Sequence, residues 1–357
     1  AERERGITID VAHRFFSTEK RSFILADTPG HAEYTRNMVT GASTSEIAVV
    51  LVDVRQGVVD QTRRHTLIAS LLGARHVVTA VNKMDLVGWD RRAFDHVAAE
   101  VRAVAAATAS GIEVTPIPLS ALHGDNVVEA SLHMPWYEGP TLLGLLETLP
   151  LATTPTSGAR LHVQHVVTAS DATTWAAGRV IGGNVHLEDT VVVLPEGRPA
   201  RIHRLLRWGK PVDSAEHGHA VMVQLDDPAG LARGSVVVTT AGDTPIVLDT
   251  VVVDLCWMIQ RPLTPASTWW FKHGARTGRA EVVDVRYVLD PVTVKQQASR
   301  SLSLNDIGRV QLRLDQPIVC DPYEHLHENG AMILIDPDDH STAAAAMIVG
   351  SGEFGPE

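Results

Sequence analysis

The chain has 357 residues, 45% of them hydrophobic and 20% charged, with a formal net charge of −11. That length allows two or three domains with real cores, and no apolar run reaches the roughly 18 residues of a membrane span. The acidic total argues against a broad electropositive face for nucleic acid. The two cysteines, Cys256 and Cys320, lie outside any C-x-x-C pair. A disulfide framework or zinc knuckle is thereby unsupported, and the reducing cytoplasm is the expected compartment.

Taken in chain order, "SFILAD" (22–27), "IAVVLVD" (47–53), "HVVTAVN" (76–82) and "IEVTPIPLS" (112–120) are short, β-branched and nearly continuous in hydrophobicity. Strands buried on both faces of a parallel sheet have this pattern. Between them, "QTRRHTLIASLLG" (61–73) and "DRRAFDHVAAEVRAVAAATASG" (90–111) read as helices, each stopping at a glycine. Alternating strand and helix predict a doubly wound α/β domain over residues 1–150. "LPLATTPTSGAR" (149–160) reads as a linker. Beyond it the helical period disappears, and short strands broken by Gly, Asp and Pro turns predict two β-barrel domains, 158–245 and 246–350.

Two stretches invite other readings. "GRPARIHRLLRWGK" (197–210) carries Arg198, Arg201, Arg204, Arg207 and Lys210, and is expected to be a solvated hairpin edge, where charge discourages strand pairing between molecules. "EHLHENG" (324–330) has two histidines two residues apart with no further ligand nearby, so it reads as a loop rather than a metal site.

The residues that carry chemistry fall where the α/β strands end, the edge at which open sheets bind ligands. In "ADTPGH" (26–31), Asp27 closes a strand and suits a hard cation, Pro29 and Gly30 turn the chain, and His31 projects beyond the turn. The Gly30 amide can approach a terminal phosphate with no side chain in the way. In "NKMD" (82–85), Asn82 offers a donor and an acceptor, and the Asp85 carboxylate can accept from the two adjacent donors of guanine, an edge adenine lacks. Lys83 can lay its apolar stem along the base. "SAL" (120–122) closes another strand with backbone amides for the guanine oxygen, and Thr8 in "RGITID" (5–10) has a hydroxyl suited to Mg2+.

With "RGITID", "DTPGH" and "NKMD" in this order, the sequence resembles the translation-factor GTPases, the superfamily of elongation factor Tu. Within it, the chain is most similar to the GTPase (large) subunits of bacterial sulfate adenylyltransferase. That likeness rests on "FSTEKRSFILADTPGHAEYTRNMVTGAST" (16–44), "DQTRRH" (60–65), "MPWYEGPTLL" (134–143), "KHGARTGRAEVVDVRY" (272–287), "LNDIGRVQLRLDQPI" (304–318) and "ILIDP" (333–337). The resemblance implies a P-loop-type GTPase domain followed by two β-barrels. It implies GTP contacts from Asp27, Thr28, Pro29, Gly30, His31, Asn82, Lys83, Met84, Asp85, Ser120, Ala121 and Leu122, with His31 catalytic and Mg2+ on Thr8 and Asp27. It further implies GTP hydrolysis coupled to formation of adenylylsulfate from ATP and sulfate. The small catalytic subunit that transfers the adenylyl group is the implied partner, an adenylylsulfate kinase is a second, and neither nucleic acid nor membrane is expected.

One departure stands out, because no G-x-x-x-x-G-K-[ST] phosphate loop occurs in the 357 residues. The expectation is that a strand, the loop and a helix upstream of Ala1 lie outside this sequence, and that these 357 residues alone bind GTP poorly. The alternative reading is an elongation-factor-like GTPase that delivers aminoacyl-tRNA.

Overall fold

A computed structural model describes residues 10–29, 35–74, 76–107, 112–150, 158–290 and 293–351. The chain folds as two compact units, Ala1–Ala152 with Leu289–Gln297, and Thr153–Val288 with Ala298–Glu357.

In the first unit β1 (Ala12–Ser17) and β2 (Ser22–Asp27) form an antiparallel ribbon. Helix α1 (Thr35–Ala42) follows, then the three parallel strands β3 (Ile47–Asp53), β4 (His76–Asn82) and β5 (Glu113–Pro118). Helix α2 (Asp60–Leu71) joins β3 to β4 and α3 (Arg91–Ala107) joins β4 to β5, while α4 (Leu142–Thr148) comes last. Helix α2 ends as its sequence predicts, with Gly73 just beyond it at φ +83°. In α3 the Asp90 carboxylate caps the first turn, accepting from the Arg92 amide at 3.0 Å. Phe94, Val97, Ala98, Val101, Val104 and Ala105 recur at helical spacing on its buried face.

Adjacent residues of β4 point to opposite faces of the sheet, and both faces are covered. Val77 and Val81 pack with Ala69 of α2 and Phe94 and Val97 of α3, whereas Val78 packs with Ile117 and with Leu142, Leu145 and Leu146 of α4. This is the doubly wound arrangement, and it explains the continuous hydrophobicity of 76–82. The expectation of burial on both faces fails in part for 47–53, since β3 lies at the edge of the three strands and Leu51 is 66% exposed.

The expectation for 22–27 needs correction. It pairs with β1 in the ribbon and not with the parallel strands, and Ile24 is 69% exposed. A short apolar run looks the same in a ribbon as in a sheet core, because periodicity reports hydrophobicity and not pairing. Arg21 anchors the ribbon's turn: its guanidinium donates to the Leu146 and Leu149 carbonyls at 2.7 and 3.0 Å. A cation there satisfies carbonyls left without partners by the end of α4.

The described residues of the second unit form two closed six-stranded barrels. Strands β6 (Arg160–Thr168), β7 (Thr174–Ile181), β8 (Thr190–Leu194), β9 (Arg198–Arg207), β10 (Ala220–Leu225) and β11 (Val236–Thr239) run in the order β9-β10-β7-β6-β11-β8, closed by β8 pairing with β9. Strands β12 (Ile246–Trp257), β13 (Thr268–His273), β14 (Arg276–Leu289), β15 (Ile307–Cys320), β16 (Ala331–Ile335) and β17 (Thr342–Ser351) run β13-β16-β17-β12-β15-β14, closed by β13 with β14. Closure removes the open edges that a free sheet would expose. Cys256 and Cys320 are buried free thiols in the second barrel.

The two barrels share apolar contacts, Leu194, Val236 and Val238 meeting Val319. Beside these lies a buried polar group. Arg160, wholly buried, donates to both Asp321 oxygens at 3.1 and 2.7 Å, and Asn329 Nδ2 donates to Asp321 Oδ2 at 2.6 Å. His162 Nε2 lies 2.8 Å from Asn329 Oδ1, and His273 Nε2 lies 2.9 Å from the Asn329 carbonyl. The stretch 324–330 is thus structural; its last four residues form one helical turn, His327–Gly330, rather than the expected loop.

Candidate functional site

The carboxyl edge of the parallel sheet brings three loops level. Asp53 sits opposite Asn82 in the β3–β4 register, and the Leu119 amide donates to the Val81 carbonyl at 2.9 Å just past the end of β5. After Asn82 the chain turns sharply, with Lys83 in the left-handed region at φ +68° and a 3-10 turn over Met84–Val87. Met84 is fully buried and anchors that turn. Its neighbours Lys83 and Asp85 are left outside the core.

Two side chains then tie the "NKMD" loop to the "SAL" loop. Asn82 Oδ1 accepts from the Lys83 amide at 2.7 Å and from the Ala121 amide at 3.0 Å. Ser120 Oγ donates to Asp85 Oδ1 at 2.7 Å. Asn82, Lys83, Met84, Asp85, Ser120 and Ala121 therefore come together, and Leu122 follows as an 82% exposed side chain. The acceptor of Asn82 and the Ala121 amide are used on each other. What remains for a ligand is the Asn82 amide donor and the outer lone pairs of Asp85, an arrangement suited to a flat heterocycle bearing adjacent N–H donors.

Asp53 is a member of this edge that sequence reasoning missed. Its carboxylate accepts from Arg55 Nε and a terminal guanidinium nitrogen at 3.0 and 2.7 Å, and from Lys83 Nζ at 2.9 Å. The Arg55 hydrogen bonds, reinforced by Lys83 against the opposing effect of burial, hold its carboxyl well below the usual carboxylate range. Lys83 is thereby stretched back over the end of β3. The signal in the sequence was a carboxylate closing "IAVVLVD", in the same strand-end position as Asp27.

The loop after Ser120 is braced from below. Asp125 accepts the Ser120 amide on its carbonyl at 3.2 Å, while its carboxylate takes the Ser131 hydroxyl and stands 3.1 Å from His133 Nδ1. His133 stacks on Trp89 with ring centroids 4.6 Å apart. Buried Asn126 donates to the Pro118 carbonyl at 2.9 Å and accepts from the Ser131 amide at 2.8 Å.

On the ribbon side, Asp27 is exposed at the end of β2 and Pro29 is buried. Gly41 of α1 lies so close to Thr28 that a Cβ there would collide with the threonine methyl, so the glycine lets the helix seat against this turn. Gly30, His31 and Thr8 lie outside the described residues. Among the described residues no group of three or more His, Cys, Asp or Glu is placed to hold a metal. Asp27 has the hard oxygen donors that Mg2+ takes, and the exposure a hydrated ion needs.

The sequence model described as "Elongation factor Tu GTP binding domain" matches residues 1–170, and that described as "GTP-eEF1A C-terminal domain-like" matches residues 250–349. "Sulfate adenylyltransferase subunit 1" of Sodalis glossinidius is 43% identical over 349 residues, covering 98% of this chain and 73% of that protein. The chain belongs to the family of sulfate adenylyltransferase subunit 1. The family member of Shewanella oneidensis is 42% identical over 358 residues, again with 98% and 73% covered. A longer relative, "Bifunctional enzyme CysN/CysC" of Mycobacterium tuberculosis, is 45% identical over 357 residues; the chain spans 58% of its length. Among solved structures, Sup35 complexed with GMPPNP matches at a TM-score of 0.51 and 20% identity, over 95% of this chain and 83% of that one. The likeness to Sup35 is one of fold.

Proposed function

We propose that this family member binds GTP along the carboxyl edge of its first unit and couples GTP hydrolysis to formation of adenylylsulfate from ATP and sulfate. The observation that carries the reading is the joining of Asn82 to Ala121 and of Asp85 to Ser120, in a chain 43% identical to a sulfate adenylyltransferase subunit 1. Guanine offers its ring N–H and exocyclic amine to Asp85, held in place by Ser120. Adenine would leave that carboxylate unpaired, which is a strong basis for discrimination. The Asn82 amide and the Leu122 backbone N–H serve the rim of the base, the Lys83 stem lies along its face, and Met84 and Ala121 hold the two loops beneath it.

On the phosphate side, the Gly30 amide would meet the terminal phosphate, and His31 would orient the attacking water. Asp27 and Thr8 would hold Mg2+, which supplies charge neutralisation on the phosphates when bound. Adenylyl transfer belongs to a separate small catalytic subunit, and an adenylylsulfate kinase consumes the product. The compartment expected for this reaction is the cytoplasm. The test is GTP turnover by the full-length protein: slow alone, faster with the small subunit, and faster again with ATP and sulfate. Stimulation by ribosomes together with indifference to the small subunit would contradict the proposal.

A further inference from the structure

In the first barrel, β9 turns back at residues 208 and 209 to a short strand, Lys210–Pro211, with Arg207 opposite Lys210. Both turn residues have positive φ, Trp208 at +53° and Gly209 at +73°. A two-residue hairpin turn of this kind takes Asn-Gly or Asp-Gly, because few side chains tolerate the left-handed region. Tryptophan, bulky and with no short polar group to bond its own backbone, is a poor choice there. Nothing in the fold repays it: Trp208 is 86% exposed, and a Cβ placed on Gly209 would meet nothing within 4 Å.

The charges around the tip point the same way. Along β9, Arg201 is 3.6 Å from Glu188 and Arg204 lies over the Trp175 ring at 5.2 Å. Arg207 and Lys210, which flank Trp208, form no ion pair among the described residues. A strained, solvent-exposed Trp between two unpaired cations breaks local rules without benefit to folding, and such breaks mark sites of function. Trp with Arg is also the composition of binding hot spots.

We infer that the Trp208 tip is an anchor for a protein partner, inserting into an apolar pocket rimmed by carboxylates. A protein is favoured over nucleic acid because the tip offers one aromatic and two cations on a chain of net charge −11, too little to follow a phosphate backbone. The occupant is the small catalytic subunit, and this identification rests on the function proposed above.

The test compares the full-length wild type with Trp208→Asn and with the double reversal Arg207→Glu, Lys210→Glu. Asparagine suits the turn, so Trp208→Asn keeps or raises the thermal midpoint. Its dissociation constant for the purified small subunit rises at least about tenfold, and the charge reversal slows association and weakens its salt dependence. An unchanged affinity in Trp208→Asn, with wild type binding normally, overturns the anchor and leaves the proposed function standing. Failure of the wild type to bind the subunit overturns both. A Trp208-dependent affinity for a single-stranded oligonucleotide, with subunit binding intact, overturns the anchor in favour of nucleic acid.

Discussion

Ser120 Oγ donates to Asp85 Oδ1 at 2.7 Å, across 35 residues of sequence. The bond fixes the carboxylate's rotamer before any ligand arrives, so Asp85 need not be ordered on binding. Ser120→Ala is expected to leave the fold intact while weakening GTP binding several-fold. Equilibrium titration with a fluorescent GTP analogue reads this directly, alongside inosine triphosphate, which lacks the exocyclic amine proposed to meet Asp85 and should lose less.

Asp53 acts on the same edge through Lys83. Neutralising it in Asp53→Asn removes the carboxylate that holds the ammonium at 2.9 Å, so the lysine stem is no longer held over the end of β3. The expected outcome is a loss of GTP affinity of about tenfold with the preference for guanine over xanthine unchanged, measured by competition. A shift in base preference would place Asp53 in base reading instead.

The ordering of these strands was legible in the sequence, and their partners were not. Residues 76–82 announce themselves as a doubly buried strand and 47–53 as its neighbour, though Leu51 of the latter is exposed, and "NKMD" and "SAL" fall at strand ends as expected. What periodicity cannot report is who pairs with whom. That is why 22–27 was expected in the parallel sheet when it pairs with β1, and why Asp53 went unread although its register opposite Asn82 sets it beside Lys83. The Arg160–Asp321 pair was equally invisible, since it joins residues 161 apart in sequence and each looks like an ordinary surface charge.

That pair predicts a stability effect. Arg160→Met removes the cation from Asp321 and leaves a buried carboxylate held by Asn329, a change that costs about 3–5 kcal/mol for a buried pair broken on one side. Chemical denaturation followed by tryptophan emission should show an earlier transition. Double replacement of Arg160 and Asp321 by apolar residues should recover much of the loss.

Acid should loosen the same region. Burial, aided by nearby His273, pushes His162 down to about 4, and burial lowers His273 as well. Both side chains titrate near 6.5 when unfolded, so the unfolded chain binds more protons between those values. The stability is complete above about pH 6.5 and is lost as pH falls toward 4, by roughly 3 kcal/mol for His162. Thermal midpoints from pH 7.5 to 4.5 would show the slope, and His162→Gln, which keeps a donor for Asn329 without the titration, should reduce it to the share left by His273.

Base reading by Asp85 and sulfate activation are proposed for the same chain, and one substitution tests both at once. Asparagine at position 85 can donate to the 2-oxo group of xanthine but accepts poorly from guanine's amine. The decisive measurement is adenylylsulfate formation from ATP and sulfate by full-length Asp85→Asn with the small catalytic subunit, driven by GTP or by xanthosine triphosphate. In the variant, GTP should no longer stimulate synthesis and xanthosine triphosphate should, while the wild type shows the reverse. Synthesis that responds to GTP equally in both proteins would contradict it.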